Sequence, residues 1–435
     1  MSLGNKQGIY DVLVVGAGAA GMLSAGKAAQ AGAKTLLLEK NEKVGRKIGI
    51  TGKGRCNVTN LSELPEIIEN IVTNDRFCYG ALSRFLPRDL MELLENQGLK
   101  LKVERGNRVF PVSDKAFDVI DALRRYVTRC GAQLKTGEPM RSLKQNENGL
   151  WQVETSRDSY LAKSVVLATG GLSYTSTGST GDGYVAAKKL GLTVTDLRPS
   201  LIPLCLKEDF CRDLMGLSLR NVRIRITQES PGETSKLVTE QFGEMLFTHF
   251  GVSGPIILTA ASYLQAYCRK KHMSCEAGNF VLHVDLKSAL SEETLDRRIQ
   301  RDFEKYHGRY LAGALEDLLP KRLTGMMARI LLGKGASAKR AGELSREERL
   351  KLVQLLKDWR FHIVGTRPLE EAIVTMGGVD VHEVAPSTMM VKNRPGLFIA
   401  GELLDVDALT GGFNLQLAFA TGAAAGQGAA VYARR

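Results

Sequence analysis

The chain opens on two apolar runs of strand length. They are Tyr10-Asp11-Val12-Leu13-Val14-Val15 and Lys34-Thr35-Leu36-Leu37-Leu38-Glu39, joined by a small-residue segment that reads as a helix through Gly32. Runs with little polar alternation suit a parallel sheet covered on both faces. Residues 61–99 carry apolar positions at helical spacing, with Ile67, Ile68 and Ile71, then Leu90, Leu93 and Leu94. A strand edge at Asn107-Arg108-Val109-Phe110-Pro111 precedes a helix from Lys115 to Cys130, for which Ser113 or Asp114 is the expected cap. A strand begins at Gly131 to Thr136. A hairpin follows at Trp151 to Glu154 and Tyr160 to Ala162, then a strand at Ser164 to Leu167 and a helix from Val185 to Leu190.

The pattern changes near Thr195. Strand-like stretches at Arg198 to Leu204, Val222 to Ile226 and Asn279 to Leu286 surround an apolar helix from Ile256 to Ala266. Ser253 is the expected cap of that helix, with Pro255 in its first turn. Residues 290–360 are helical and charged, with breaks at Leu318-Leu319-Pro320 and Gly333-Lys334-Gly335. Small and apolar residues then return, in a strand ending at Gly401-Glu402 and a closing helix from Leu417 to Tyr432. The expected fold class is α/β. A Rossmann-like domain in two pieces, 1–195 and 369–435, is interrupted at 196–368 by a β-rich insert whose helical subdomain spans about 290–360.

Chemistry enters at Gly16-Ala17-Gly18-Ala19-Ala20-Gly21, between the first strand and helix. Gly16 permits the tight turn, Gly18 close approach to a pyrophosphate, and Gly21 tight packing of helix on strand. The helix start at Ala19 and Ala20 presents its free N–H groups to phosphate. Glu39, followed by Lys40, ends the second strand where a carboxylate accepts from ribose hydroxyls. That fingerprint favours a dinucleotide with a free 2′-hydroxyl and leaves FAD and NAD both open.

Asn41 to Asn57 holds four glycines and five cations, and reads as a loop on the carboxyl edge of the sheet. There Arg46 and Lys47 would meet phosphate or ribose, while Gly52, Gly54, Arg55, Cys56 and Asn57 would approach the reacting ring. The Glu138-Pro139-Met140 backbone is placed to bond adenine, and Thr169 and Gly170 return a strand to the nucleotide edge. Gly401 and Glu402 set a carboxylate beside the cofactor. Gly412, Phe413, Asn414 and Leu415 open a helix toward something anionic. An NAD domain has no use for this distant second edge, so the pair of edges favours FAD.

Bulk composition adds bounds. A length of 435 residues suggests two or three domains. The seven cysteines are odd in number and lack a CxxC, and the six histidines lack ligand spacing, so neither a redox dithiol nor a metal is expected. No stretch is long and apolar enough to span a membrane, and Met1 to Gln7 lacks the apolar core of a signal peptide, which makes the cytoplasm the expected location. The net charge of +12 favours anionic partners. Its cations look dispersed, with no aromatic-basic platform, so nucleic acid is a secondary expectation.

Together, the Gly16 to Glu39 fingerprint, Ala168-Thr169-Gly170-Gly171 and Ala400-Gly401-Glu402 resemble the two-dinucleotide-binding-domain flavoproteins, on the fumarate-reductase-like side. Further strings resemble the BaiN/YhiN-like flavoprotein family, which has aminoacetone oxidase-like members. They are Gly45-Arg46-Lys47, Thr51-Gly52 with Gly54-Arg55-Cys56-Asn57-Val58-Thr59-Asn60, Val109-Phe110-Pro111, Gly178 to Tyr184, Thr248 to Pro255 and Gly401 to Asp407. Ala408 and Phe413 stand where Gly and Tyr are common in that family. The resemblance implies a non-covalent FAD, a discontinuous FAD domain and a barrel-like insert. It also implies hydride transfer between flavin N5 and a small organic substrate.

Cys56, Asn57 and His249 are the candidate substrate-side residues. Cys56 equally suits a small buried position, and His249 a loop-ordering one. The reaction that the resemblance implies is NADH- or NADPH-linked reduction of an unsaturated ketone of the 3-dehydro bile-acid kind. An oxygen-using amine oxidase, a flavin-dependent RNA-modifying protein and a non-catalytic flavin redox sensor are the alternatives. With no second nucleotide domain in the sequence, a nicotinamide donor would enter transiently. The oligomeric state is not legible.

Overall fold

The computed structural model describes residues 8–230, 232, 234–333 and 339–435. Met1 to Gln7, and Lys334 and Gly335 of the expected break, lie outside the described residues. The chain divides into two compact units, one reaching to Leu201 and resuming at Pro368–Arg435, the other Ile202–Arg367.

The first unit is built on a seven-stranded sheet. Its order is Gln133–Lys135, Thr35–Leu38, Tyr10–Val15, Ser159–Leu167, Trp151–Thr155 and Met140–Gln145, with Leu397–Ile399 also paired to Ser159–Leu167. The hairpin strand and the apolar strand expected separately at 160–162 and 164–167 are one continuous element. Its first half pairs antiparallel with Trp151–Thr155, and its second half pairs parallel with Leu397–Ile399. Tyr10–Val15 runs parallel to it along the other side. Val12, Leu13, Leu36, Leu37, Val165 and Val166 are fully buried, as a sheet covered on both faces requires.

The helix Ala19–Gln30 lies between two others. A Cβ on Gly26 would stand 2.1 Å from the Tyr126 ring of helix Ala116–Arg129. On the other side, Cβ atoms on Gly422 and Gly426 of helix Phe413–Ala433 would stand 2.3 Å from Ala20 O and 2.2 Å from Ser24 O. Small residues set that spacing, and Ser24 Oγ donates to Gly422 O at 2.8 Å.

Several local expectations change. The loop at 41–57 contains a short helix, Arg46–Ile50, and a 3-10 turn, Thr51–Gly54. The helical reading of 61–99 resolves into Leu64–Glu69, Asp75–Leu82 and Pro87–Glu95, with the strand Ile71–Thr73 between the first two. Helix Ala116–Arg129 has Lys115 at its N-cap and no side-chain cap, because Asp114 instead bonds Arg55 and Lys102. Helix Pro255–Lys270 is preceded by Gly254 rather than Ser253, which belongs to the strand Gly251–Ser253. The last helix starts four residues early, at Phe413.

The second unit is a closed antiparallel barrel. Its order is Leu204–Leu206, Gly251–Ser253, Lys236–Thr248, Ser218–Gln228, Phe280–Asp285 and Trp359–Thr366. Closure leaves no unpaired edge. Alternate residues point inward, and Phe247, Trp359 and Phe361 meet there, the last two with ring centroids 4.5 Å apart. Helices Glu292–Lys305, Leu311–Ala314, Lys321–Leu332 and Arg346–Lys357 belong to this unit. Ser291 and Ser345 cap the first and last of them through the N–H groups of Thr294 and Glu348.

Candidate cofactor and active site

The first glycines have distinct geometries. Gly16 sits at φ 101°, and a Cβ there would lie 2.5 Å from Ala168 O. A Cβ on Gly21 would lie 1.7 Å from Gly16 O, so only glycine lets the helix start against the turn. A Cβ on Gly18 would meet nothing within 4 Å. Gly18 therefore serves no packing purpose inside the protein, which fits a glycine kept bare for a ligand. Ala19 and Ala20 form the first helical turn, which has no side-chain cap. Its N–H groups stay available to an anion.

Glu39 is buried. One oxygen accepts from Ala17 N–H at 2.8 Å, and the other from Asn41 N–H at 2.9 Å and Asn41 Nδ2 at 2.7 Å. A carboxylate has about four acceptor positions, so capacity for ribose hydroxyls is left over. Lys40 reaches Asp182 at 2.6 Å and also meets Thr180, tying this strand end to the 178–182 loop. Arg46 donates to Asn41 Oδ1 at 2.9 Å.

A second cluster gathers residues far apart in sequence. Lys47 Nζ lies 2.5 Å from Glu402 Oε2 and 2.6 Å from Ser173 Oγ. Glu402 Oε1 accepts from Thr375 N–H at 2.8 Å and Ser173 Oγ at 3.0 Å. Ser173, Thr375 and Asn41 were not anticipated. Ser173 could have been found, since it follows Ala168-Thr169-Gly170-Gly171 closely, but Thr375 had no signal. Gly401, at φ 72°, donates its N–H to Thr421 Oγ1, and a Cβ there would press on Ala20. That position joins the late edge to the first helix.

The Gly52 to Asn57 turn is unusual backbone. Gly52, Lys53, Gly54 and Cys56 all have positive φ, at 56°, 57°, 84° and 60°. The turn closes on itself, with the N–H groups of Arg55 and Cys56 donated to Gly52 O at 3.2 Å and Thr51 O at 3.0 Å. Arg55 does not offer its head to a phosphate. It bonds Asp114 at 2.7 Å and Glu104 at 2.5 Å, and its guanidinium lies 4.2 Å from the Phe110 ring. Those carboxylates hold the guanidinium more firmly protonated than usual. Cys56 is fully buried, and burial pushes its thiol up to about 12 against a lowering hydrogen bond from Thr51. A neutral, enclosed thiol is no nucleophile near neutral pH.

Two buried side-chain atoms at this edge find no partner among the described residues, Asn57 Oδ1 and Thr169 Oγ1. Buried polar atoms are rarely left unbonded, so each is placed to serve a bound group. Gly170, beside Thr169, turns at φ 78° against Ser179. The helix Phe413–Ala433 likewise begins without a side-chain cap, after Gly411 and Gly412 at φ 127° and 100°. A Cβ on Gly412 would lie 2.5 Å from the Thr59 carbonyl, so the helix start is pressed against the strand Thr59–Asn60. Phe413 is buried. Asn414 spends its amide on Ala408 and Leu409, at 2.6–3.2 Å, so what it and Leu415 offer a ligand is backbone N–H. Gln416 is buried between Thr59 Oγ1 and Phe85 O, and Asp407 between Ser200 Oγ at 2.6 Å and Thr73 Oγ1. Neither was singled out from sequence as a supporting residue.

Met140 begins the sheet strand paired to Thr155. His249 belongs to the other unit, exposed at the turn after Lys236–Thr248, with its ring edge-on to Phe250 at 4.9 Å. The donor set in the first unit therefore fits FAD. A bare Gly18 and an uncapped helix suit the pyrophosphate, Glu39 the ribose, and Lys47, Glu402, Asn57, Thr169 and the terminal helix the other half. Among the described residues no helix is long and apolar enough to cross a membrane.

The HI0933-like protein Rossmann domain family matches residues 10–428. The ribosomal RNA dihydrouridine synthase of Escherichia coli is 31% identical over 96% of this chain and 97% of its own length. The 3-dehydro-bile acid delta(4,6)-reductase of Clostridium scindens is 30% identical over 96% of this chain and 98% of its own. Among solved structures, the open conformation of a flavocytochrome c3 fumarate reductase has the same fold, with a TM-score of 0.52 at 19% identity, covering 99% of this chain and 80% of that one. With a family match over nearly its whole length and a donor set that fits the cofactor, the chain belongs to the HI0933-like Rossmann-domain family and is an FAD-dependent oxidoreductase.

Proposed function

We propose that this oxidoreductase reduces a carbon–carbon double bond conjugated to a carbonyl, with NADH or NADPH as electron donor. The supporting observation is the chemistry common to two relatives that match over almost the whole chain. A uracil ring and a 3-keto steroid with a double bond at carbon 4 both carry an alkene polarised by a carbonyl. In each, hydride adds to the carbon remote from the carbonyl, a proton adds to the near one, and the carbonyl oxygen carries charge between the two events.

Bound FAD supplies the hydride chemistry. The protein's part is to hold, orient and stabilise. Lys47, fixed by Glu402 and Ser173, holds one side of the site at a set position. The uncapped N–H groups of Phe413, Asn414 and Leu415 stabilise negative charge placed before the helix. Asn57 Oδ1 and Thr169 Oγ1 accept from polar edges that reach them. The neutral Cys56 thiol fills space under the turn rather than attacking.

Within this reading the substrate is a uracil base of RNA. A net charge of +12 suits a polyanion better than it suits a bile acid, which carries a single carboxylate. The test is anaerobic. Reduction of the yellow protein by NADH or NADPH, followed by its reoxidation on ribosomal RNA with dihydrouridine as product, is the expected result. Reduction by a small amine with rapid oxygen turnover would make it an oxidase instead. A flavin that no tested donor reduces would leave a non-catalytic flavin-binding protein.

A further inference from the structure

We propose that the three-stranded sheet beside the Thr51–Gly54 turn is a docking face for the RNA backbone, an inference that rests on the RNA reading above. The sheet is Thr59–Asn60, Arg108–Pro111 and Leu101–Glu104. Residues 51–56 and 100–115 hold seven basic and two acidic side chains, a net of +5 against +12 for all 435 residues. This small part of the chain carries a disproportionate share of its excess charge.

Strand register sorts those side chains. Lys102 pairs with Phe110 and Glu104 with Arg108, so these four project from one face. Arg55 joins them, with its guanidinium 4.2 Å from the Phe110 ring, while Arg108 stands 5.9 Å from the same ring. The two carboxylates, Glu104 and Asp114, are engaged by Arg55 and Lys102. Lys53, Lys100, Arg105, Arg108 and Lys115 are exposed and have no carboxylate partner among the described residues. The anions thus brace the inner pair of cations and leave the outer ones to a partner.

Position strengthens the case. Gly52 lies against Asn57 and the Phe110 ring, and Asn60 Nδ2 donates to Gly411 O at 3.0 Å. The face is therefore continuous with both segments assigned to the reacting half of the cofactor. A strand held on it would have its bases within reach of that edge.

The barrel unit offers a contrast. A polar cavity of about 360 Å3 there has Arg223, Arg225 and Lys357 in its wall. Each is already matched, to Glu240 at 2.8 Å, Asp358 at 3.4 Å and Asp285 at 2.6 Å. Phosphate would have to displace a carboxylate at every one. An RNA-binding face is built from cations whose counterions are mobile, because their release drives association.

The experiment measures binding of the FAD-loaded protein to protein-free ribosomal RNA across a salt series. R105E/R108E/K115E is compared with R297E/R301E/K321E, which makes the same charge change in the other unit. The first variant should weaken binding about tenfold or more at low salt and lower the salt slope by about two to three. The second should do much less. FAD absorbance and thermal melting report folding, and R105A/R108A provides a gentler version with a smaller loss in the same direction. Equal losses in both triple variants, or none in the first, would overturn the proposal. So would binding to vesicles of phosphatidylglycerol and phosphatidylcholine without binding to RNA. Wild-type protein that ignores RNA at low salt would remove this proposal together with the RNA reading. RNA held through this face but never reduced would leave the docking surface standing and remove the substrate reading alone.

Discussion

Cys56 shows how one residue changes meaning when it is placed. In the sequence it follows Gly52-Lys53-Gly54-Arg55 in a basic loop, where it suits either a substrate-side role or a small buried position. In the fold it is fully buried at φ 60°, with its N–H on Thr51 O at 3.0 Å and its thiol raised to about 12. The pH consequence can be signed. From about pH 9 the unfolded thiol loses its proton while the folded one keeps it up to about 12. The unfolded state then binds fewer protons, so this group's contribution to stability is lost as pH rises, at about 1.4 kcal/mol per pH unit. Chemical denaturation at several pH values between about 8.5 and 10 should therefore give a shallower alkaline decline for Cys56→Ala than for the parent. Equal declines would mean the thiol is not enclosed. The glycines teach a different lesson at the same scale. Gly16 and Gly21 are needed by the fold and Gly18 is not, and only the distances around them tell these apart.

At the scale of elements, the crossing of Ala19–Gln30 and Phe413–Ala433 positions both uncapped helix starts that we propose hold the cofactor. It depends on Gly422 and Gly426 lying against Ala20 and Ser24 backbone. Backbone cannot move aside as a flexible side chain can. Gly426→Ala, with its Cβ 2.2 Å from Ser24 O, should cost about 1–3 kcal/mol by overpacking. It should also weaken FAD binding, because the separation between the helix starts changes. Urea melts with and without added FAD would separate the two effects. Unchanged FAD affinity in a destabilised variant would mean the crossing serves stability alone. The small-residue helices were readable from composition, but the partner of each glycine was not. Caps were the least legible elements. Asp114 has the right type and position to cap Ala116–Arg129, yet Arg55 and Lys102 compete for its carboxylate and win. A charge-assisted pair outweighs a neutral N–H donor.

For the molecule as a whole, the insertion point is set by a short ribbon. Arg198–Ser200 pairs antiparallel with Val374–Met376, and Ile373 N–H reaches Leu201 O, so the chain leaves and re-enters the first unit at adjacent points. Buried Asp407 bonds Ser200 and fixes that ribbon within the first unit. Replacing Ile202–Arg367 with a short Gly-Ser linker should therefore leave a folded, yellow, FAD-binding protein. Flavin absorbance and thermal melting of the purified protein would check this. A colourless or aggregated product would show that the first unit needs the second to fold.

The sequence by itself determined the parallel sheet, the dinucleotide turn, the acidic strand ends and the choice of FAD. These follow from local period and from residue types that one backbone geometry demands, as with Gly16 at φ 101°. Contacts between distant segments were decided only in three dimensions. Lys47 meets Glu402 across 355 positions, and Thr59 meets Gln416 across 357. No periodicity encodes such pairs, because closing those loops is the work of the whole core. The cations illustrate the same limit. Along the chain they look dispersed, with no aromatic platform. Folding the strands Leu101–Glu104 and Arg108–Pro111 together, and laying Arg55 over Phe110, gathers them onto one face. Net charge is a sum that sequence supplies, whereas a field has direction and exists only once the charges have positions.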